Sequence, residues 1–136
     1  MTSPQLPAPA PPITPDSKPF WDGTAEDKLV LPRCDKCSTV IWYPREFCPK
    51  CGSFAVSWFE ASGQGTVYSY SIVRKGEAMY GGAAPYVLAY VELEEGPRVL
   101  TNIVDCEPES VKIGQAVSVV FHETGQGPKL ARFRPA

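Results

Sequence analysis

Five cysteines are the side chains in this sequence best suited to chemistry, and four of them form one pattern. Cys34-Asp-Lys-Cys37 is followed by ten residues and then by Cys48-Pro-Lys-Cys51-Gly52. Each C-x-x-C makes a tight turn that aims two sulfurs at one point. Two such turns facing each other supply the tetrahedral four-sulfur environment that zinc prefers. Gly52 relieves crowding after the second turn and leaves backbone N–H groups free to bond thiolates, whereas Ser38 stands at that place in the first. Residues 40–44 (VIWYP) are expected to form a small hairpin over the site. Two disulfides would require an oxidising compartment, a redox C-x-x-C would require a following helix, and iron accepts the same ligand set. The doubled motif favours one zinc ion held by Cys34, Cys37, Cys48 and Cys51. With every coordination position taken by protein, the ion has a structural role, and its binding energy is folding energy.

Little else in the chain is arranged for catalysis. His122, the one histidine, ends an expected strand and reads as a surface residue. Cys106 follows an apolar strand and reads as a small buried residue, because a nucleophile needs a base beside it. Glu92, Glu94 and Glu95 fall at a hairpin, where acids form a solvated tip. The loop at 75–85 (KGEAMYGGAAP), carrying Met79 and Tyr80, is the strongest candidate for a ligand or partner contact outside the cysteines.

These side chains are positioned by four expected segments. Residues 1–15 hold six prolines and no charge, as in a disordered or draped arm. Residues 16–30 read as a short helical hook in which Asp16 or Ser17 caps and Pro19 sits in the first turn. Phe20 and Trp21 are neighbours in sequence, so one is expected to pack on its own chain and the other to be an exposed anchor. Residues 31–57 form the zinc ribbon. From residue 58 to 136 the texture is β: strands are expected at 65–74, 86–93, 98–104, 116–122 and 129–134, with a bend in the first near Gly63 and Gly65. Five antiparallel strands in Greek-key order suit a small OB-fold barrel, giving a mainly β protein with an N-terminal helical hook.

The 136 residues carry a net charge of −2. The distribution is −3 over residues 16–27, +3 over 28–57 and −2 over 58–136. The only basic segment therefore holds the paired cysteines, where Arg33, Lys36, Arg45 and Lys50 offset the negative charge of a four-thiolate zinc. An acidic barrel is poorly suited to nucleic acid. No apolar run is long enough for a membrane helix and no secretory leader is evident, so a cytoplasmic protein is expected.

Several separated blocks resemble a known family of acyl-CoA-associated proteins that combine a helical hook, a rubredoxin-like zinc ribbon and an OB fold. The blocks are Pro19-Phe20-Trp21, residues 31–37 (LPRCDKC), Tyr43-Pro44-Arg45, Cys48-Pro49-Lys50-Cys51-Gly52, residues 63–70 (GQGTVYSY), 85–93 (PYVLAYVEL), 111–114 (VKIG) and Phe133-Arg134-Pro135. Ser38, in place of the usual glycine, and the proline arm depart from the pattern. The resemblance implies a non-catalytic accessory subunit. It would bind and stabilise a thiolase-superfamily enzyme, a thiolase or retro-aldol lyase acting on acyl-CoA thioesters of steroid side chains, and help form its acyl-CoA entrance. Phe20, Trp21, Met79 and Tyr80 are then the contacts with the partner or the acyl-CoA. Such modules are sometimes fused to a MaoC-type hydratase; this sequence is expected to be a free-standing subunit or an excised module. Two other functions remain: a zinc-ribbon/OB adaptor for single-stranded nucleic acid, with Tyr68, Tyr70, Tyr86 and Tyr90 stacking bases, and direct acyl-CoA binding without a partner.

Overall fold

The computed structural model describes residues 6–136. The helical hook is α1 (Lys18–Ala25), followed by β1 (Val30–Cys34) and β2 (Val56–Glu60), which pair antiparallel as the sheet of the ribbon. The chain then crosses Ala61–Gly63 and enters a closed barrel of β3 (Gln64–Val73), β4 (Tyr86–Leu93), β5 (Arg98–Ile103), β6 (Ala116–Glu123) and β7 (Lys129–Pro135). The strand order is β3-β4-β5-β7-β6, with β3 returning to β6. This is the expected five-strand OB-like barrel. One seam differs from the all-antiparallel expectation: β5 and β7 run parallel and pair only through Ile103 and Phe133. Because β6 intervenes, β7 returns in the direction of β5.

Strand sequence explains strand placement. In β4, Val87, Ala89, Val91 and Leu93 alternate inward and are all buried, while Leu88 and Tyr90 face out. These residues close the core with Val67, Val117, Ile103 and Phe133. The bend expected near Gly63 and Gly65 is divided between two places. Gly63 takes a φ of +78° where the chain changes sheets, and a bulge between Val67 and Ser69 bends β3 itself. That bend lets β3 pair with β6 at one end and with β4 along its length.

The hook departs from expectation in two ways. Ser17 is the N-cap residue, but its hydroxyl bonds Thr14 and leaves the first turn of α1 uncapped. Phe20 and Trp21 are both buried, at 3% and 8% exposure, so neither is an exposed anchor. Two adjacent residues do point to different sides of a helix, but α1 sits in a corner where both sides meet protein. Phe20 packs edge-on against Trp42, 5.3 Å between centroids, and Trp21 Nε1 donates to Tyr43 Oη at 3.1 Å. On the barrel side, the Lys129 N–H donates to Thr24 Oγ1 at 3.1 Å. The hook thereby joins ribbon to barrel.

The expectation of a disordered or draped arm falls partly on residues 1–5, which lie outside the described residues. Along residues 6–15 the chain runs without strand or helix, yet Leu6 is buried and the Leu6 and Pro7 carbonyls accept from the Arg132 guanidinium. Among the described residues, no helix is long and apolar enough to cross a membrane.

Candidate metal centre and adjoining cleft

The two C-x-x-C turns repeat one backbone design. The Cys34 N–H donates to Thr39 O at 2.9 Å, and the Cys48 N–H donates to Ser53 O at 2.8 Å. In turn, the Ser38 N–H donates to Cys34 O at 2.9 Å and the Gly52 N–H to Cys48 O at 2.8 Å. These contacts hold the four sulfurs of Cys34, Cys37, Cys48 and Cys51 within 4.8 Å of one another. The Cys34 and Cys51 sulfurs lie 3.5 Å apart, and those of Cys37 and Cys48 lie 3.6 Å apart. Ile41, 1% exposed, packs over the buried Cys34 and Cys48, as the expected cover from the intervening segment. Arg33, assigned from sequence to charge compensation, stacks 4.0 Å from the Phe59 ring centroid.

The electrostatics favour a cation at the centre. A hydrogen bond with the Thr39 hydroxyl, reinforced by the Thr39 backbone, lowers the Cys37 thiol to about 6. A backbone hydrogen bond from Cys51 lowers Cys48. Cys51 receives a lowering backbone contact from Ser53, but desolvation and the three adjoining thiols outweigh it and push the group up to about 11. Four crowded sulfurs do not all ionise unless a metal ion shares the charge. The residues therefore suit one ion with four thiolate ligands.

Ser38 and Gly52 occupy equivalent places and both take positive φ, +63° and +79°. Serine pays a steric penalty there that glycine does not. Ser38→Gly is therefore expected to stabilise the ribbon by about 1 kcal/mol, and Gly52→Ala to destabilise it by a similar amount. Open space surrounds Gly52, so the alanine effect is one of backbone conformation alone. Urea titration of the metal-loaded variants checks both signs.

The other singled-out residues lie apart from the sulfurs. Met79 and Tyr80 fall in a 3-10 turn (Ala78–Tyr80) of the 75–85 loop; Met79 is 59% exposed, while Tyr80 leans on Tyr86 at 5.6 Å. Gly76 fixes this loop: a Cβ there would meet Tyr80 O at 2.1 Å. Tyr80, Phe20 and Trp21 come together in the wall of a cleft of about 380 Å³ between α1, the ribbon tip and the β5–β7 seam. Met79 is not part of that wall. Burial raises the Cys106 thiol, the opposite of an activated nucleophile. His122 is half-buried rather than superficial, its Nδ1 2.9 Å from Arg132 Nη1. Sequence reasoning missed Arg132, 3% exposed in the cleft wall, and the exposed ribbon aromatics Phe47 and Phe54. No sequence signal pointed to Arg132: alternation along β7 puts Phe133 in the barrel core and Arg132 on the opposite face, where the arm buries it.

A four-thiolate ribbon hooked by one helix onto an OB barrel defines a class of small two-part modules. Residues 21–57 match the family described as "ChsH2, rubredoxin-like zinc ribbon domain", and residues 58–122 match "ChsH2, C-terminal OB-fold domain". A "DUF35 domain-containing scaffold protein" of Pyrococcus furiosus is 37% identical over 123 residues, covering 85% of this chain and 90% of that protein. Its counterpart in Methanocaldococcus jannaschii is 46% identical over 94 residues, covering 68% and 67%. The chain belongs to this DUF35 family. Among solved structures, a chain of the "Ltp2-ChsH2(DUF35) aldolase" superposes with a TM-score of 0.83 at 36% identity, covering 93% of this chain and 98% of that one. A "Probable enoyl-CoA hydratase alpha subunit" of Thermomonospora curvata is 39% identical over 94% of this chain, which spans 40% of that longer protein.

Proposed function

We propose that this chain is a non-catalytic accessory subunit that binds and stabilises a thiolase-superfamily enzyme, an aldolase or thiolase, acting on acyl-CoA thioesters. The observation that carries the reading is the near-complete superposition on the DUF35 chain of an aldolase. Two relatives support the chemical class. One is named "Benzoylsuccinyl-CoA thiolase subunit BbsA", 37% identical over 71 residues. The other is the "3-oxo-4,17-pregnadiene-20-carboxyl-CoA hydratase alpha subunit" of Mycobacterium tuberculosis, 31% identical over 108 residues. The latter favours steroid side-chain thioesters. Zinc occupies the four-cysteine site and keeps the ribbon folded.

In this reading the chain does no bond-breaking. The metal ion has four protein ligands and is a structural brace. The hook residues Phe20 and Trp21 contribute through the cleft wall they build, and Tyr80 completes that wall beside the exposed Met79. The partner or the acyl-CoA meets this side of the barrel, so the subunit helps shape the acyl-CoA entrance.

Mixing with a thiolase-like protein captured by affinity pull-down from the source cells tests the surface. Met79→Asp places a charge in an apolar contact and is expected to weaken complex formation at least ten-fold, because exposed apolar anchors dominate such interfaces. Unchanged affinity by calorimetry removes the loop from the interface. The exposed Tyr68, Tyr70 and Tyr90 are the one feature favouring a nucleic-acid adaptor, and Arg98 stacks on Tyr68 at 3.9 Å. A single-stranded oligonucleotide is expected to give no mobility shift at low salt; a salt-sensitive shift reverses the choice.

A further inference from the structure

Arg132 is 3% exposed, and its contacts are unusual for a buried cation. Nη1 donates to Leu6 O at 3.5 Å and lies 2.9 Å from His122 Nδ1, and Nη2 donates to Pro7 O at 2.5 Å. All three partners offer lone pairs without charge, since the pKa of His122 is lowered by burial and then by Arg132 itself. No ion pair among the described residues includes Arg132. The guanidinium is solvated by the draped arm but not neutralised.

This cation forms part of the wall of the 380 Å³ cleft, whose remaining surface is dominated by aromatic and aliphatic side chains. Phe20, Trp21 and Trp42 come from the hook and ribbon, Val99 and Phe133 from the barrel. Cavities of this size that combine an apolar lining with a few polar groups are suited to small molecules. Tyr80 lines the same space and favours the charged form of Arg132. The three contacts above use three of the five guanidinium N–H groups, and the Tyr80 hydroxyl hydrogen-bonds the guanidinium as well. A carboxylate accepts from the remaining N–H and from that hydroxyl, and brings the negative charge that the carbonyls lack.

We propose that this cleft binds a small apolar carboxylic acid, with its carboxylate on Arg132 beside Tyr80 and its hydrocarbon body among Trp21, Trp42 and Val99. The site shares its wall with the surface assigned to the accessory role but lies within one chain, so it is tested on the isolated, metal-loaded protein, where its failure leaves the accessory reading untouched. Trp21 and Trp42 line the cleft and report occupancy by their fluorescence. Decanoate is expected to bind saturably and at least ten-fold more tightly than decan-1-ol, which has the same body without the charge. Arg132→Gln is expected to abolish that preference. Should that variant fail to fold, Leu100→Glu at the cleft rim, where Leu100 is 54% exposed, is expected to weaken decanoate ten-fold and decan-1-ol much less. Equal affinity for acid and alcohol, no saturable binding of decanoate, or full competition by free CoA overturns the proposal.

Discussion

Replacing Cys48 by alanine, or stripping the metal with a chelator, is expected to unfold the ribbon while the barrel keeps its strands. The ribbon sheet has two strands; one face, with Leu31, Trp42 and Trp58, leans on the main core, and the half that carries the cysteines has only Ile41 with the partly buried Val56 as its interior. So little apolar surface cannot offset the entropy of ordering the segment. In the proposed reading a zinc ion supplies the missing stabilisation, on the order of 10 kcal/mol for a four-ligand structural site. The barrel has its own core of Val67, Val87, Val91, Val117 and Phe133, all 1% exposed or less. Amide NMR of the chelated protein should lose dispersion for residues 31–57 and retain it for β3 to β7. A fully dispersed ribbon after metal removal would show that packing alone suffices.

Phe20→Ala is the substitution outside the cysteines with the largest expected cost, about 3–5 kcal/mol. Phe20 is 3% exposed and makes edge-on contacts with Trp21 and Trp42 at 4.8 and 5.3 Å between centroids. Its removal empties the junction of hook, ribbon and barrel, whose other polar ties include Trp21 Nε1 to Tyr43 Oη at 3.1 Å, Thr24 to Lys129, Lys129 to Asp27 at 2.8 Å, and Leu29 O to Ala61 N at 2.7 Å. Phe20→Leu retains most of the volume and is expected to cost less than half as much. Denaturant titration reads both values. Equal losses would mean that ring shape, rather than filled volume, matters at this junction.

What the sequence disclosed was local. The cysteine spacing is a covalent constraint, so the metal site could be read before any tertiary contact was known. The alternation of Val87, Ala89, Val91 and Leu93 likewise follows from the pleat of a single strand. Features that depend on distant contacts were not legible. Whether Phe20 and Trp21 are both buried depends on α1 lying in a corner between ribbon and barrel, which neighbouring residues do not encode. Arg132 meets Pro7 across 125 positions, and no pattern within β7 announces the draped arm as its partner. The parallel seam between Ile103 and Phe133 also follows from topology rather than strand composition. At Ser38 the sequence reading noted a less suitable residue, and the structure supplies the reason in its positive φ.

The most direct test of the accessory role is reconstitution with a thiolase-like protein captured by affinity pull-down from the source cells. Carbon–carbon cleavage or condensation of an acyl-CoA thioester is measured with each protein alone and with both together. The account predicts no turnover by this chain alone, weak or unstable activity of the partner alone, and full activity on mixing in stoichiometric amounts. Turnover by this chain alone, or a partner whose activity and thermal stability do not change on mixing, would contradict it.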